Sequence, residues 1–184
     1  MIDYSLLDKS LQYYEDKGFK RVEAPWTVSE KVDKITKPED RISFQLKHNN
    51  KCLVASGEQS FLYLYLKSFL PKGTYQTITP CFRYEAFDFL HTKYFMKNEL
   101  IKTDRVTELS LQEVVNRSLE FFKPLFKHNQ LEIIKTEIGY DIEVDGKELG
   151  SYGIRSCEFL DWIYGTGCAE PRTSSLIKLY NKRK

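Results

Sequence analysis

Several features that would indicate a membrane or exported protein are missing from this 184-residue sequence. No apolar run approaches the roughly 20 residues that a membrane-spanning helix needs. The N-terminal residues lead into a charged amphipathic segment and not into a signal peptide. We therefore expect no membrane association and a cytoplasmic location. The formal net charge of +2 is too small for composition alone to predict strong affinity for nucleic acid.

Paired cysteines, internal repeats, low-complexity tracts and interdomain linkers are also absent. The cysteines form no C-x-x-C pair, and free thiols in a reducing compartment are expected for Cys52, Cys81, Cys157 and Cys168. The sequence is 41% hydrophobic and 29% charged, which is typical of a globular domain. We expect a single domain over residues 1–184.

The hydrophobic pattern alternates between helical and strand periodicity and so predicts an α+β protein. Helices are expected at residues 3–17, from Gln59 to about Leu70, at Val106–Phe126 and at the C-terminus. Strand character is expected at Phe19–Glu23, Cys52–Ser56, Thr74–Glu85, Tyr94–Thr103 and Leu131–Ile142. Asp145-Gly146 is a hairpin turn signal.

The most informative stretch is the predicted hairpin within residues 74–103, which carries charges where a core strand would be apolar. Side chains alternate along a strand, so Arg83 and Glu85 project to one side. The second strand places three side chains on one face: Phe95, Lys97 and Glu99. Buried charges must be paired or neutralised, which makes such a face unsuited to a core. It suits a flat, charged ligand that stacks on the ring and the guanidinium.

A second group of candidate residues lies near the C-terminus. Gly165 and Gly167 precede the predicted C-terminal helix, and glycine there would let the backbone approach a ligand closely. The start of the following helix favours anions. Arg172 supplies a cation that can pair with phosphate or stack on a base.

Two polar pairs complete the set of candidates. Glu148 and Ser151 are three residues apart, which places them on opposite faces of a regular strand unless Gly150 allows a β-bulge. Ser56 and Glu58 stand at the start of a predicted helix. There they can serve as N-cap and as an acid near the positive end of the helix dipole.

These patterns resemble the three motifs of class II aminoacyl-tRNA synthetases, in the correct order over nearly the whole chain. Gly18–Pro25 resembles motif 1, although any helix–strand unit would explain it equally well. Phe82, Arg83 and Glu85, followed by His91 and Phe95, resemble motif 2. The segment 165–173 (GTGCAEPRT) resembles motif 3 in its seryl form.

The resemblance implies a six- or seven-stranded antiparallel sheet flanked by helices, with a homodimer formed through motif 1. It implies adenylate formation from ATP and an amino acid, with transfer to tRNA or another acceptor. The motifs nearly fill the chain, which leaves no room for a coiled-coil arm or an anticodon-binding domain.

The resemblance also assigns roles residue by residue. Arg83 and Arg172 would be the catalytic cations. The nucleotide would be bound by Glu85, His91, Phe95, Gly165, Gly167 and Arg172. The amino acid would be bound by Ser56, Glu58, Arg83 and Glu99, of which Glu58 and Glu99 face its amino group. Magnesium would be held by Glu148 and Ser151.

Departures from the seryl pattern leave alternatives open. Lys93-Tyr94 replaces the usual His-Gln, and the loop before His91 is short, so another amino acid or a carrier-protein acceptor stays possible. A zinc site formed by Glu99 with Cys157 or Cys168 is a further alternative, for which buried free cysteines are the simpler explanation. A non-catalytic paralogue that binds nucleotide or amino acid is the alternative function.

Overall fold

The computed structural model describes residues 1–84, 93–126 and 130–181. Within these ranges the helices are α1 (Tyr4–Asp16), α2 (Glu30–Thr36), α3 (Gly57–Leu66), α4 (Glu108–Phe122) and α5 (Arg172–Asn181). The first five strands are β1 (Lys20–Arg21), β2 (Thr27–Ser29), β3 (Lys51–Leu53), β4 (Thr74–Phe82) and β5 (Tyr94–Lys102). The remaining strands are β6 (Leu131–Lys135), β7 (Gly139–Val144), β8 (Lys147–Cys157) and β9 (Leu160–Glu170).

Seven of these strands form one sheet in the order β1-β4-β5-β9-β8-β7-β6, and β2 and β3 form a separate two-stranded sheet. All neighbours in the large sheet are antiparallel except β1 and β4, which run parallel. The expected α+β architecture, an antiparallel sheet flanked by helices, is therefore confirmed. The short parallel strand β1 makes the sheet mixed.

Element boundaries differ from expectation mainly where a turn carries no strong sequence signal. The strand predicted at residues 131–142 is in fact two strands, because the chain reverses after Lys135 and Thr136 N donates to Gly139 O at 2.9 Å. The helix predicted to reach Phe126 ends at Phe122 and continues as a short 3-10 turn. Gly18 follows α1 with φ +89°, as predicted for a residue that ends the helix.

One face of the sheet is covered by α1, α4 and α5. Large buried side chains fill the space between them and the strands, including Leu7, Tyr14, Leu100, Phe122, Tyr152 and Leu176. Tyr14 and Phe122 are fully excluded from solvent. This apolar core, the helix-side core, fixes the positions of β5, β8 and β9.

The opposite face packs against α2, α3 and the small sheet. Its core, the second core, is formed by residues that include Val28, Val54, Phe61, Leu62, Ile101 and Trp162. It covers only part of this face, and a pocket opens beside the N-terminal end of α3. Among the described residues, no helix combines the length and the apolar character needed to cross a membrane.

Candidate functional site

The pocket, of about 350 Å³, lies on the charged side of β5. Phe95, Lys97 and Glu99 all line it, because alternate residues of a strand share one face. Strand β9 continues the surface, since Glu99 is paired in register with Thr166. The predicted common face of the three β5 residues is therefore the wall of a pocket and not part of either core.

Glu99 is the most unusual residue of this wall. Its side chain is 1% exposed, and Oε2 accepts a hydrogen bond from Ser56 Oγ at 2.6 Å and forms an ion pair with Lys97 Nζ at 2.7 Å. Its other oxygen, Oε1, has no hydrogen-bond partner within the part of the chain that the structure describes. A buried carboxylate oxygen without a partner is unfavourable, and a ligand donor such as an ammonium group would remove that cost.

Ser56 takes the N-cap role and contacts Glu99 as well, while its role in binding the amino acid stays a prediction. It caps α3 by accepting a hydrogen bond from Glu58 N at 3.2 Å, and it also donates to Glu99. Gly57 makes this close approach possible, because a Cβ at that position would lie 2.8 Å from Glu99 Cβ and from Thr79 Oγ1. The Ser-Gly-Glu triplet therefore brings the start of α3 against β5.

Glu58 does not present a free acceptor, contrary to the expectation that it would face an amino group. Its Oε2 accepts from Arg155 at 2.7 Å, and its Oε1 accepts from Trp162 Nε1 at 2.6 Å. Burial raises the pKa of Glu58, and the Arg155 charge opposes that rise. Each oxygen of Glu58 therefore has a partner, unlike Oε1 of Glu99 among the described residues, and the role of either carboxylate toward an amino group stays a prediction.

Arg83 extends from the end of β4 into the pocket. Its Nε donates to Ala55 O at 3.1 Å, and its guanidinium carbon lies 5.1 Å from the centre of the Phe95 ring. The cation therefore stands above the aromatic ring at one end of the pocket. Glu85 and His91, the other predicted motif 2 residues, lie outside the described residues, so their roles stay predictions.

A β-bulge brings Glu148 and Ser151 to the same pocket, as the sequence required. Ile142 of β7 pairs with Gly150 of β8, and the next residue, Glu143, pairs with Glu148. Leu149 is therefore the extra residue on β8. The extra residue reverses the alternation, and both Glu148 and Ser151 line the pocket.

Arg172, at the first residue of α5, also lines the pocket and donates from NH1 to Glu148 Oε1. Asp141 of β7 is paired in register with Ser151 and was not identified from the sequence. Burial raises the pKa of Asp141, a hydrogen bond from Ser151 opposes the rise, and the Glu148 charge adds to it. Three oxygen donors, from Asp141, Glu148 and Ser151, fit the preference of magnesium for hard ligands.

Gly165 and Gly167 lie inside β9, which leads into α5 at Arg172, so both precede a helix, and their role in nucleotide binding stays a prediction. The space beside them is taken by the helix-side core. A Cβ at Gly165 would lie 2.7 Å from the Tyr152 ring, and one at Gly167 would lie 2.9 Å from the Tyr14 ring. Because these glycines have no side chain, the aromatic rings of the helix-side core pack directly against the backbone of β9.

The structure does not bring the cysteines of the zinc alternative to Glu99. Cys168 is fully buried in the helix-side core, on the face opposite Glu99, and Cys157 packs against the second core. Neither lines the pocket. Across residues 1–84, 93–126 and 130–181, no cluster of three His, Cys, Asp or Glu side chains is arranged to hold a metal ion. A register shift in the pairing of β5 with β9, between Thr166 and Cys168, reverses the alternation and turns Cys168 away from the pocket.

Lys97, Arg155 and Tyr164 line the pocket but were assigned no role from the sequence. The sequence carried a signal for two of them. Lys97 stands between Phe95 and Glu99 in the alternation, and Arg155 is four residues after Ser151 and so on the same face of β8. Tyr164 carried no comparable signal, because its orientation depends on the register between β9 and its neighbours.

Comparison with known proteins gives a fold. No family model matches the sequence, and no curated protein matches it. The structure is similar to pyrrolysyl-tRNA synthetase from Desulfitobacterium hafniense, with a TM-score of 0.76 and 17% identity over 96% of this chain and 70% of that one.

Two seryl enzymes are similar as well. Seryl-tRNA synthetase from Pyrococcus horikoshii, solved with ATP, gives a TM-score of 0.78 and 15% identity over 99% of this chain and 51% of that chain. The cytoplasmic serine-tRNA ligase from Naegleria fowleri, solved with AMP, gives 0.73 and 14% over 98% and 48%. The chain thus spans about half the length of these two enzymes. The protein has the fold of the catalytic core of class II aminoacyl-tRNA synthetases.

Proposed function

We propose that the protein activates an amino acid with ATP to form an aminoacyl adenylate. An oxygen of the amino-acid carboxylate attacks the α-phosphorus, the bond from that phosphorus to the oxygen bridging the β-phosphate breaks, and pyrophosphate leaves. The reaction needs positioning and charge neutralisation more than proton transfer. The observation that carries the proposal is the unpartnered Oε1 of buried Glu99 in a pocket that also holds Arg83.

Each group of the amino acid has a matching residue. The ammonium group donates to Glu99 Oε1, where it satisfies the buried oxygen. Arg83 holds the α-carboxylate and the α-phosphate, and its Nε contact with Ala55 O fixes the side chain while other donors stay available. Lys97 forms an ion pair with the other oxygen, Oε2, at 2.7 Å, so Oε1 is the oxygen that faces the ammonium group.

The nucleotide end of the pocket is formed by Phe95 and Arg172, which we propose to enclose the adenine ring. Arg172 pairs with Glu148, and Arg83 stands above Phe95. ATP binding therefore replaces protein–protein contacts of both arginines with contacts to base and phosphate. The similar enzymes solved with ATP and with AMP support nucleotide binding in this fold.

Glu148 and Ser151, which line the pocket, would hold magnesium together with Asp141, which is paired in register with Ser151. Bound there, the ion would neutralise phosphate charge during displacement of pyrophosphate. The aminoacyl group would then pass to tRNA or to another acceptor such as a carrier protein. We further propose that the protein acts as a homodimer, and sedimentation of a strictly monomeric species would contradict this.

The test is amino-acid-dependent exchange of pyrophosphate into ATP, measured with each of the twenty amino acids and magnesium. We expect exchange with one amino acid or a related pair, and its loss in Arg83→Ala. Arg105→Ala is the matched control, because Arg105 is exposed and pairs with Glu113 on α4. Exchange by neither wild type nor control, in folded protein, would favour a non-catalytic binding paralogue.

A further inference from the structure

Arg155 reaches the inner end of the pocket from strand β8. Its NH1 donates to Glu58 at 2.7 Å, and its guanidinium carbon lies 4.4 Å from the centre of the Tyr164 ring. The side chain is 34% exposed, whereas Glu58 is 5% exposed. The guanidinium is therefore held on one side by a carboxylate and on one face by a ring, with the remainder open to the pocket.

Most of the hydrogen-bonding capacity of Arg155 is unused. A guanidinium has five N–H donors. Among the described residues, Glu58 is its only hydrogen-bond acceptor. The other oxygen of Glu58 accepts from Trp162, so the contacts of Glu58 engage one N–H group of Arg155. A planar oxygen acceptor that enters the pocket would match the free donors of the fork.

Tyr164 provides a second unused polar atom beside Arg155. Its hydroxyl is buried and forms no hydrogen bond of acceptable geometry with any described residue. Ser151 is near enough to offset part of the rise that burial causes in the Tyr164 pKa. Gly153 keeps the space around this hydroxyl open, because a Cβ there would lie 2.7 Å from it.

The inner cluster, defined as Glu58, Arg155 and Tyr164, adjoins the proposed amino-group site. Glu99 is paired in register with Thr166, and Tyr164 is two residues earlier on the same face of β9. Arg155 leans over Tyr164 from the next strand. An amino acid whose ammonium group lies at Glu99 can therefore direct its side chain toward Arg155.

We propose that the inner cluster selects an amino acid whose side chain ends in a carboxylate or a carboxamide. The side-chain oxygens accept from Arg155, and the Tyr164 hydroxyl completes the contact. Glu58 is a positioning residue, which orients the guanidinium and neutralises part of its charge before the substrate enters. This inference rests on the proposed adenylate formation and narrows it to acidic or amide amino acids.

The test uses non-hydrolysable adenylate analogues, the aminoacyl sulfamoyl adenosines of alanine, serine, aspartate and asparagine. Their affinities are measured by calorimetry on the wild type, Arg155→Lys and the control Arg21→Lys, an exposed arginine that pairs with Glu15. Lysine keeps a charge opposite Glu58 but loses the planar fork. The double variant Arg155→Gln with Glu58→Gln removes both charges together and guards against misfolding from an unpaired carboxylate.

We expect the aspartyl or asparaginyl analogue to bind roughly 10- to 100-fold more tightly than the alanyl analogue, the range for a hydrogen bond to a charged group. Arg155→Lys and the double variant should lose this preference, whereas Arg21→Lys should keep it. Three outcomes would overturn this inference and leave the proposed function standing. They are equal binding of all four analogues, a preference for the seryl analogue, and a preference that is unchanged in both variants. No binding of any analogue would overturn the proposed function together with it.

Discussion

The two faces of the sheet each bury a glutamate, and the two glutamates are treated differently. Glu170, on the helix-side face, accepts from Asp3 N at 3.0 Å and from Ser174 N at 2.8 Å, so each oxygen has a partner. Glu99, on the pocket face, has one oxygen with two partners and another with none among the described residues. Burial alone does not distinguish a structural carboxylate from a binding one, whereas the unfilled hydrogen-bonding capacity does.

The same contrast holds between neighbours on β5. Leu100 is 1% exposed and packs in the helix-side core, while Glu99, next to it, is equally buried in the pocket wall. A strand between two layers presents alternate residues to different environments. Substitutions on the two faces should therefore separate stability from binding.

The largest effect is expected for Leu100→Ala on the helix-side face. Removal of a buried leucine side chain should lower the free energy of unfolding by about 2–5 kcal/mol, through lost burial and the cavity left behind. Chemical denaturation measures it. Leu109→Ala is the control, because Leu109 is 65% exposed, and its effect should stay within about 0.5 kcal/mol. Similar losses in both variants would refute the assignment of Leu100 to the core.

Next in size is the effect of Glu99→Gln on ligand binding. The substitution removes the charge that we assign to the ammonium group, and affinity for an adenylate analogue should fall roughly 10- to 100-fold. Glu170→Gln is the matched variant on the other face and should leave that affinity unchanged. Calorimetry measures the affinity of both variants for the analogue. An equal loss of affinity in the two variants would refute the assigned difference between Glu99 and Glu170.

A smaller effect is expected for the stability of the double variant Lys97→Met with Glu99→Gln. Glu99→Gln alone leaves Lys97, which is 8% exposed, without a charged partner and should destabilise the protein. Removing both charges should return the free energy of unfolding to within about 1 kcal/mol of the wild type, while ligand binding stays lost. A double variant less stable than Glu99→Gln would show that the pair is needed for the fold.

The smallest effect is a pH dependence that arises at Glu58. Burial raises the pKa of Glu58 above 4.5, so the folded state binds this proton more tightly than the unfolded state does. The free-energy cost of burying the ionised carboxylate is fully present above the raised pKa. This cost is relieved as the pH falls toward 4.5 and the carboxylate takes up a proton. The stability of the wild type relative to Glu58→Gln should therefore rise from pH 7 to pH 4.5. Parallel denaturation series in this range test the sign.

Much of the fold followed from the sequence because local patterns agreed with the tertiary context. Alternation predicted the shared face of Phe95, Lys97 and Glu99, and Gly18 marked the end of α1. The turn after Lys135 was missed because residues 136–138 carry no glycine or proline. The sequence placed Gly165 and Gly167 before a helix, as the structure does, but it could not show that they lie in a strand with the helix-side core beside them.

The sequence by itself determined the order of elements, the charged strand and the identity of the cations, because these depend on local periodicity and on residue chemistry. Only the tertiary structure decided which carboxylate is free. Glu58 and Glu99 look equivalent in sequence, yet Arg155 and Trp162, roughly a hundred residues after Glu58, occupy both oxygens of Glu58. Hydrogen bonds between distant strands are set by sheet register and helix packing, which no local pattern encodes.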